Sequence, residues 1–452
     1  MAIVITVIIG LNIKFFVFYV LKVYYNPSKI KLDFSFLGKE AIYVYIKRDI
    51  EKCVLEASKY YPVVMVCGQR QVGKSTMLNH IKEENRKYVS LDDRNAFRLA
   101  ETDPLLFLQT YGYPLIIDEF QKVPSLLEAI KDIVDKLGYE GKDNNGIYWL
   151  TGSQKFKMMK NVSESLAGRI CVLEMSSLSQ SEIAQREGYL FSPSIEDIVQ
   201  RFNSLKAKNA NEIYEAIFNG GMPKLVTTAI DRERFYSDYV NTYLERDIKS
   251  LEKIGKLNEF YDFLVYMAAR TSQELKYADI SRDIGVSAPT VKEWITILER
   301  AGIIFILRPY YSSITNRLVK TPKFYFMDTG LAAYLARWPD YKSLANGNMD
   351  GAFLETFVVS EIVKNYYNNG KPVNNLYYYR DIDQREIDLL IVTADSIFPI
   401  EIKKNAVPNH PDKNFYVLNK FGLEIKTGII FCLSEEMVPY NKQCWLVPVS
   451  FI

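Results

Sequence analysis

The sequence predicts an α/β chain: a parallel sheet with helices on both faces, then a helical connector, a helix-turn-helix module and a second, mixed α/β region. Between residues 48 and 183 short apolar runs alternate with helical patterns, the arrangement of parallel strands joined by helical crossovers. Past residue 194 the runs give way to long amphipathic stretches, and strand-like runs return in a Pro- and Tyr-containing hairpin after the helix-turn-helix and again beyond residue 351. With 452 residues, 48% hydrophobic and 24% charged, the chain is too long for one core and too apolar for disorder, so about three domains with separate cores are expected.

The first 40 residues read as an apolar extension. Residues 2–25 are long enough to span a bilayer, but Asn12, Lys14 and Lys22 interrupt them, and neither a basic n-region nor a small-residue cleavage site is present. Three readings stay open: a membrane anchor, a hydrophobic helix packed on the body, or a start placed upstream of the body. The interruptions favour the last, with a cytoplasmic chain, and leave membrane contact through residues 2–25 as the alternative. Residues 41–193 hold the strand candidates 62–67, 88–91, 115–117, 147–150 and 171–173. Residues 194–275 carry amphipathic stretches at 232–251 and 259–270, a helical lid or connector.

Composition excludes several chemistries. Lys and Arg number 56 against 54 Asp and Glu, a formal charge of +2, so any nucleic-acid site must be a local patch. Five cysteines without a CxxC pair point to reduced thiols, and two histidines leave little room for His-based triads or metal cages.

The sharpest signal follows the first apolar run. Gly68, Gln69, Arg70, Gln71, Val72, Gly73, Lys74 and Ser75, with Thr76 next, fit GxxxxGK[ST] between a strand and a helix. Glycines let backbone N–H groups wrap phosphates, Lys74 reaches the β- and γ-phosphates, and the Ser75 hydroxyl holds Mg²⁺, so ATP with Mg²⁺ is the expected ligand. Downstream, a second apolar run ends in Asp118 and Glu119; the first acid suits Mg²⁺ through water, the second activates the attacking water. A third run ends near Thr151, Ser153 and Gln154, short polar groups that either face the γ-phosphate or cap the next helix.

The segments GQRQVGKST, LIIDEF, LTGSQ and SLAGRI together resemble AAA-type ATPases of bacteria and archaea, in the group whose carboxyl half carries a winged helix and a nuclease-like region. The resemblance runs from about residue 45 to the end. It implies a strand lying between the P-loop strand and the acidic strand, Ser153 or Gln154 as the sensor, and homo-oligomerisation. Arg169 then reads either as an arginine finger for a neighbouring subunit or as the partner of an acid in its own domain.

Residues 276–345 look like a winged helix. Gly285 sits where a tight turn between two helices needs it, with Ser281 and Val291 at the small and apolar positions around it. The presumed recognition helix, residues 287–300, places Lys292 beside Glu293, so sequence-specific readout is not expected. The following hairpin holds Arg308, Tyr310, Tyr311, Arg317, Lys320 and Lys323, which suit contact with a DNA backbone; a purely structural lid is the equal alternative.

Residues 346–452 resemble the PD-(D/E)xK restriction-endonuclease-like and Holliday-junction-resolvase-like folds, with Glu355 on a helix, Asp388 on one strand and Glu401-Ile402-Lys403 on the next. Strand alternation puts Glu401 and Lys403 on one face and Ile400 and Ile402 on the other. The resemblance implies that Glu355, Asp388 and Glu401 bind Mg²⁺ and that Lys403 stabilises the reacting hydroxide. Two functions compete: an ATP-hydrolysing protein coupled to a DNA-binding or DNA-cleaving module, and a nucleotide switch whose nuclease-like region is inactive and binds protein partners.

Overall fold

The computed structural model of the chain describes residues 2–8, 18–26, 29–33, 45–152, 166–202, 205–244 and 257–452. They fall into two units, Met1–Tyr45 and Ile46–Ile452. In the first unit, β1 (Ala2–Ile8), β2 (Phe18–Asn26) and β3 (Lys29–Asp33) form an antiparallel sheet in which Ile8 faces Phe18 and Lys22 faces Asp33. Strands stand where the packed-helix reading of residues 2–25 would put a helix. The reason is local: β1 and β2 are rich in Ile, Val, Tyr and Phe, which favour extended backbone, and Asn12 and Lys14 lie between the two strands. Among the described residues no helix is long and apolar enough to cross a membrane.

The second unit begins with five parallel strands: β4 (Val63–Cys67), β5 (Lys87–Ser90), β6 (Leu115–Asp118), β7 (Tyr148–Gly152) and β8 (Ile170–Glu174), in the order β5-β6-β7-β4-β8. β4 pairs with β7 on one side and β8 on the other, so all five of its residues are buried, which is why it reads as an unbroken apolar run. Side-chain alternation distributes the helices. Val63, Met65 and Cys67 share a core with α3 (Arg94–Thr102), α4 (Pro104–Tyr111) and α5 (Leu126–Tyr139), whereas Val64 and Val66 face α1 (Glu51–Ala57) and α2 (Lys74–Ile81).

That second core does not stop at the sheet. It continues through Ile217 of α6 (Ala210–Asn219), Phe235 of α7 (Arg232–Tyr239), Phe263 of α8 (Leu257–Ala268) and Trp294, and on to Phe353 and Phe451. The segments after the sheet thus bury apolar faces against it and against one another, while Tyr379, Ile387, Leu390 and Phe415 belong to a third cluster in the carboxyl-terminal region.

The helix-turn-helix spacing is met. α9 (Tyr277–Ile284) ends at Gly285, whose φ of +76° makes the left-handed turn, and α10 (Ala288–Arg300) starts from Ser287, whose side chain accepts from Thr290 N–H. Then β9 (Ile304–Leu307) pairs antiparallel with β10 (Lys323–Phe326), with the short helix Ile314–Val319 between them. The carboxyl-terminal region places α11 (Asp350–Asn368) beside a mixed sheet of β11 (Leu376–Arg380), β12 (Glu386–Val392), β13 (Ser396–Lys403), β14 (Glu424–Ile425), β15 (Gly428–Cys432), β16 (Val438–Pro439) and β17 (Cys444–Pro448), ordered β11-β12-β13-β15-β17-β16 with β14 on β13.

Candidate functional site

The loop after β4 is shaped by its glycines. Gly68 has φ +143°, and a Cβ there would lie 1.9 Å from the Met175 carbonyl oxygen, so no side chain fits. Gly73 (φ +93°) turns the chain into α2, and with Gln71 (φ +59°) it bends the loop into the concave path that gathers anions. Lys74, buried at 7% exposure, donates to the carbonyls of Gly68 (2.9 Å) and Gln69 (2.5 Å). Burial pulls its ammonium down to about 8, against the pull of Glu119 and Asp118. Gln69 is buried as well and donates its amide to the carbonyl of Gly302, at the turn between α10 and β9. Arg70, Val72 and Thr76 complete the loop and the first turn of α2.

Asp118, at the end of β6, collects hydroxyls from three neighbouring elements. Ser75 Oγ donates to its Oδ1 at 2.6 Å and Thr151 Oγ1 donates to the same oxygen; Tyr88 OH (2.9 Å) and Ser90 Oγ (3.4 Å) donate to Oδ2. Thr151 therefore serves the acid. Burial, then the adjacent Asp118 charge, pushes the Tyr88 phenol well above its ordinary range, so it stays a donor. The Ser75 hydroxyl and Asp118 carboxylate are hard oxygen donors in contact, a set that fits Mg²⁺. Glu119 follows with φ +54°, half-buried, its Oε2 accepting from the Gln121 amide. Ser153 and Gln154 lie outside the described residues.

Sequence reasoning passed over a clamp under the loop. Arg48, 3% exposed, donates to Glu182 Oε1 (2.9 Å), to the Val72 carbonyl (2.8 Å) and to the Ser176 carbonyl (2.8 Å). Burial alone would raise Glu182, but Arg48 and the backbone N–H groups of Ser179 and Asp49 outweigh it and hold the carboxyl below its usual range. One guanidinium thus ties the loop to the end of β8. Nothing in the local pattern around Arg48 marks it; its partners are 24 to 134 residues away.

Arg169 stands elsewhere. Its carbonyl accepts from Val63 N–H, at the start of β4, whereas the loop follows the end of β4. Five strand residues separate the two by roughly 16 Å, so Arg169 does not reach its own loop. Its guanidinium grips Asp135 of α5 through two bonds, 2.5 and 3.0 Å.

In the carboxyl-terminal region the acids are engaged from within. Glu355 Oε1 accepts from Lys323 Nζ and Tyr325 OH, both at 2.8 Å, and Lys323 also pairs with Glu386 at 2.5 Å. Asp388 Oδ2 accepts from Ile402 N–H (2.8 Å) and from Lys403 (3.4 Å), and Lys403 also bonds Glu401. Burial and Asp388 push Glu355 up to about 7 despite Lys323; the same two causes push Glu401 well above the carboxylate range. Among the described residues no group of three or more His, Cys, Asp or Glu side chains is gathered to hold a metal. Each member of the expected Mg²⁺ set is engaged by a lysine: Lys323, with Tyr325, from β10 at Glu355, and Lys403 at Asp388 and Glu401. In the basic hairpin Lys323 and Tyr310 are buried, Arg317 lies over the rings of Tyr310 (4.4 Å) and Tyr377 (5.1 Å), and Arg308 and Lys320 are exposed.

The strand order carries one more result: β7 lies between β4 and β6, as the resemblance implies. Residues 60–184 match the family model described as an AAA domain. This segment is an AAA-type ATPase-like domain. Residues 210–342 and 350–452 match two models, each described as a domain of unknown function (DUF8612 and DUF4143). Uncharacterized protein Rv2008c of Mycobacterium tuberculosis and uncharacterized protein Mb2031c of Mycobacterium bovis are each 26% identical over 368 residues, covering 80% of this chain and 75% of the relative. Among solved structures, the Walker-type ATPase PABY2304 of Pyrococcus abyssi aligns over 64% of this chain and 96% of its own (15% identity, TM-score 0.39). A point variant of RuvB from Thermotoga maritima aligns over 60% and 90% (16%, 0.28), and AMPPCP-bound DnaA of Aquifex aeolicus over 59% and 93% (16%, 0.28).

Proposed function

We propose that the chain binds and hydrolyses ATP at the Gly68–Ser75 loop and passes its nucleotide state to the helical and carboxyl-terminal regions packed on that domain. The contact of Ser75 with Asp118, beside Glu119 at the mouth of the loop, carries this reading. Loop N–H groups and Lys74 hold the phosphates, Ser75 and Asp118 hold Mg²⁺, and Glu119 takes the proton of the attacking water. Mg²⁺, when bound, offsets phosphate charge. Arg169 is proposed as the residue that a homo-oligomer supplies to a neighbouring loop, since it is too far from its own.

For the load, the nucleotide switch is favoured over DNA cleavage, because Lys323 and Lys403 already neutralise the acids and Lys323, one of the four basic hairpin residues, is buried. Exposed Arg308 and Lys320 support at most a small, sequence-independent contact with DNA. The test is ATP turnover with and without duplex and branched DNA, together with cleavage of the same substrates in Mg²⁺ or Mn²⁺. An unchanged rate and intact DNA are expected; stimulation of several fold, or cleavage abolished by Asp388→Ala, would return the DNA-directed reading to first place.

A further inference from the structure

The acid cluster of the carboxyl-terminal region is built around a cation, and that cation comes from the chain itself. Lys323 is the first residue of β10, which belongs to the preceding module, yet its ammonium lies between Glu355 of α11 and Glu386 of β12, at 2.8 and 2.5 Å. It is 3% exposed. Glu386 keeps its other oxygen on Arg380 at 3.2 Å, and Tyr325, two residues along β10, donates to the same Glu355 oxygen that Lys323 does. A buried ammonium is stable only where carboxylates compensate its lost hydration. Burial would lower Lys323, but Glu355, Tyr325, Glu386 and Asp388 together hold it firmly charged.

Beside the cluster lies a cavity of about 380 Å³, lined by Arg270, Lys276, Lys323, Glu355, Arg380 and Glu386 among others. It is far larger than the roughly 30 Å³ share of one water, so space for a hydrated cation adjoins the carboxylates. What occupies the position between those carboxylates is the lysine. We propose that Lys323 is a built-in counter-ion standing where a divalent cation would otherwise bind, so that the acid cluster is closed to metal unless β10 withdraws. The lysine, as a single charge on a strand of another module, makes metal access depend on how the two modules pack. This inference is independent of the ATPase reading, because the partners of Lys323 all lie outside the nucleotide loop.

The test is Mn²⁺ binding to the full chain without nucleotide, followed by electron paramagnetic resonance. Wild type and Glu355→Gln should bind Mn²⁺ alike. Lys323→Met should gain one site, at least tenfold tighter than anything in wild type, that Lys323→Met/Glu355→Gln loses; Lys323→Arg, which keeps the charge, should gain none. ATP binding by each variant checks folding. A wild-type Mn²⁺ site removed by Glu355→Gln overturns the proposal, as does a folded Lys323→Met protein that gains no site. Should Lys323→Met not fold, the comparison of wild type with Glu355→Gln decides alone: equal binding supports the counter-ion, and loss of a site refutes it.

Discussion

Lys74 shows how a single side chain carries both a structural cost and a function. Its ammonium is buried and held by two carbonyls of its own loop, so its proton is loosened to about 8. A bound polyphosphate favours the charged form, so the bound value lies above the free one. Affinity for ATP should then be greatest below about 8 and fall as pH rises past it, by up to about tenfold per pH unit. Titrations between about pH 7 and about pH 9 check this; a flat profile contradicts the loosened proton. Lys74→Ala should weaken ATP binding by about 100-fold, the loss of two charge-assisted contacts. Arg48 is the counterpart whose role is mechanical. Arg48→Ala leaves Glu182 buried without its cation and should destabilise the protein by about 3–5 kcal/mol, read as a lowered midpoint in thermal or urea unfolding; a loss under about 1 kcal/mol would mean the clamp is dispensable. Lys74 was legible because spacing alone defines its loop. Arg48 and Tyr88 were not, nor was Asp118 as the partner of Thr151, because the chain must fold before they meet the residues they hold.

Among elements, the ones the sequence marks well are those whose environment matches their local pattern. β4 and β12 have neighbours on both sides and read as apolar runs, and α9 ends where Gly285 supplies the left-handed turn. The failures have physical causes too. Residues 2–25 are apolar enough for a helix but β-branched and aromatic enough for strands, and their composition alone does not arbitrate. Within the basic stretch from Arg308 to Lys323, periodicity says nothing about Glu355 and Glu386, which draw Lys323 alone inward, while Arg308 and Lys320 stay exposed. One element joins the two sites: β9 starts just past Gly302, whose carbonyl receives Gln69 of the nucleotide loop, and its last residue, Leu307, faces Lys323 on β10. Gln69→Ala should therefore speed amide hydrogen exchange in residues 301–307 several fold while leaving β12 and β13 unchanged. Equal exchange in residues 301–307 would show that the Gln69 contact does not hold the turn.

At the scale of the whole molecule, the largest of three apolar clusters among the described residues from 46 to 452 runs from Ile50 beneath the sheet to Phe451 near the carboxyl end, so a change at the nucleotide loop meets side chains packed into the later regions. Arg169 tests whether a second copy matters. It is held by Asp135 at the end of the sheet away from its own loop, and its pair is partly exposed, worth about 1 kcal/mol or less to stability. If a neighbour uses it, Arg169→Ala should lose turnover but not ATP binding, and mixed oligomers of Lys74→Ala and Arg169→Ala should exceed either alone; no rescue in verified mixtures assigns Arg169 to its own domain. The central claim, that this fold hydrolyses ATP through Glu119, has a more direct test in paired measurements of ATP affinity and single-site turnover for wild type and Glu119→Gln. The account predicts unchanged affinity within about threefold and a turnover reduced by about 10²- to 10⁴-fold, the usual contribution of a positioned base; a Glu119→Gln protein that hydrolyses ATP at the wild-type rate contradicts it.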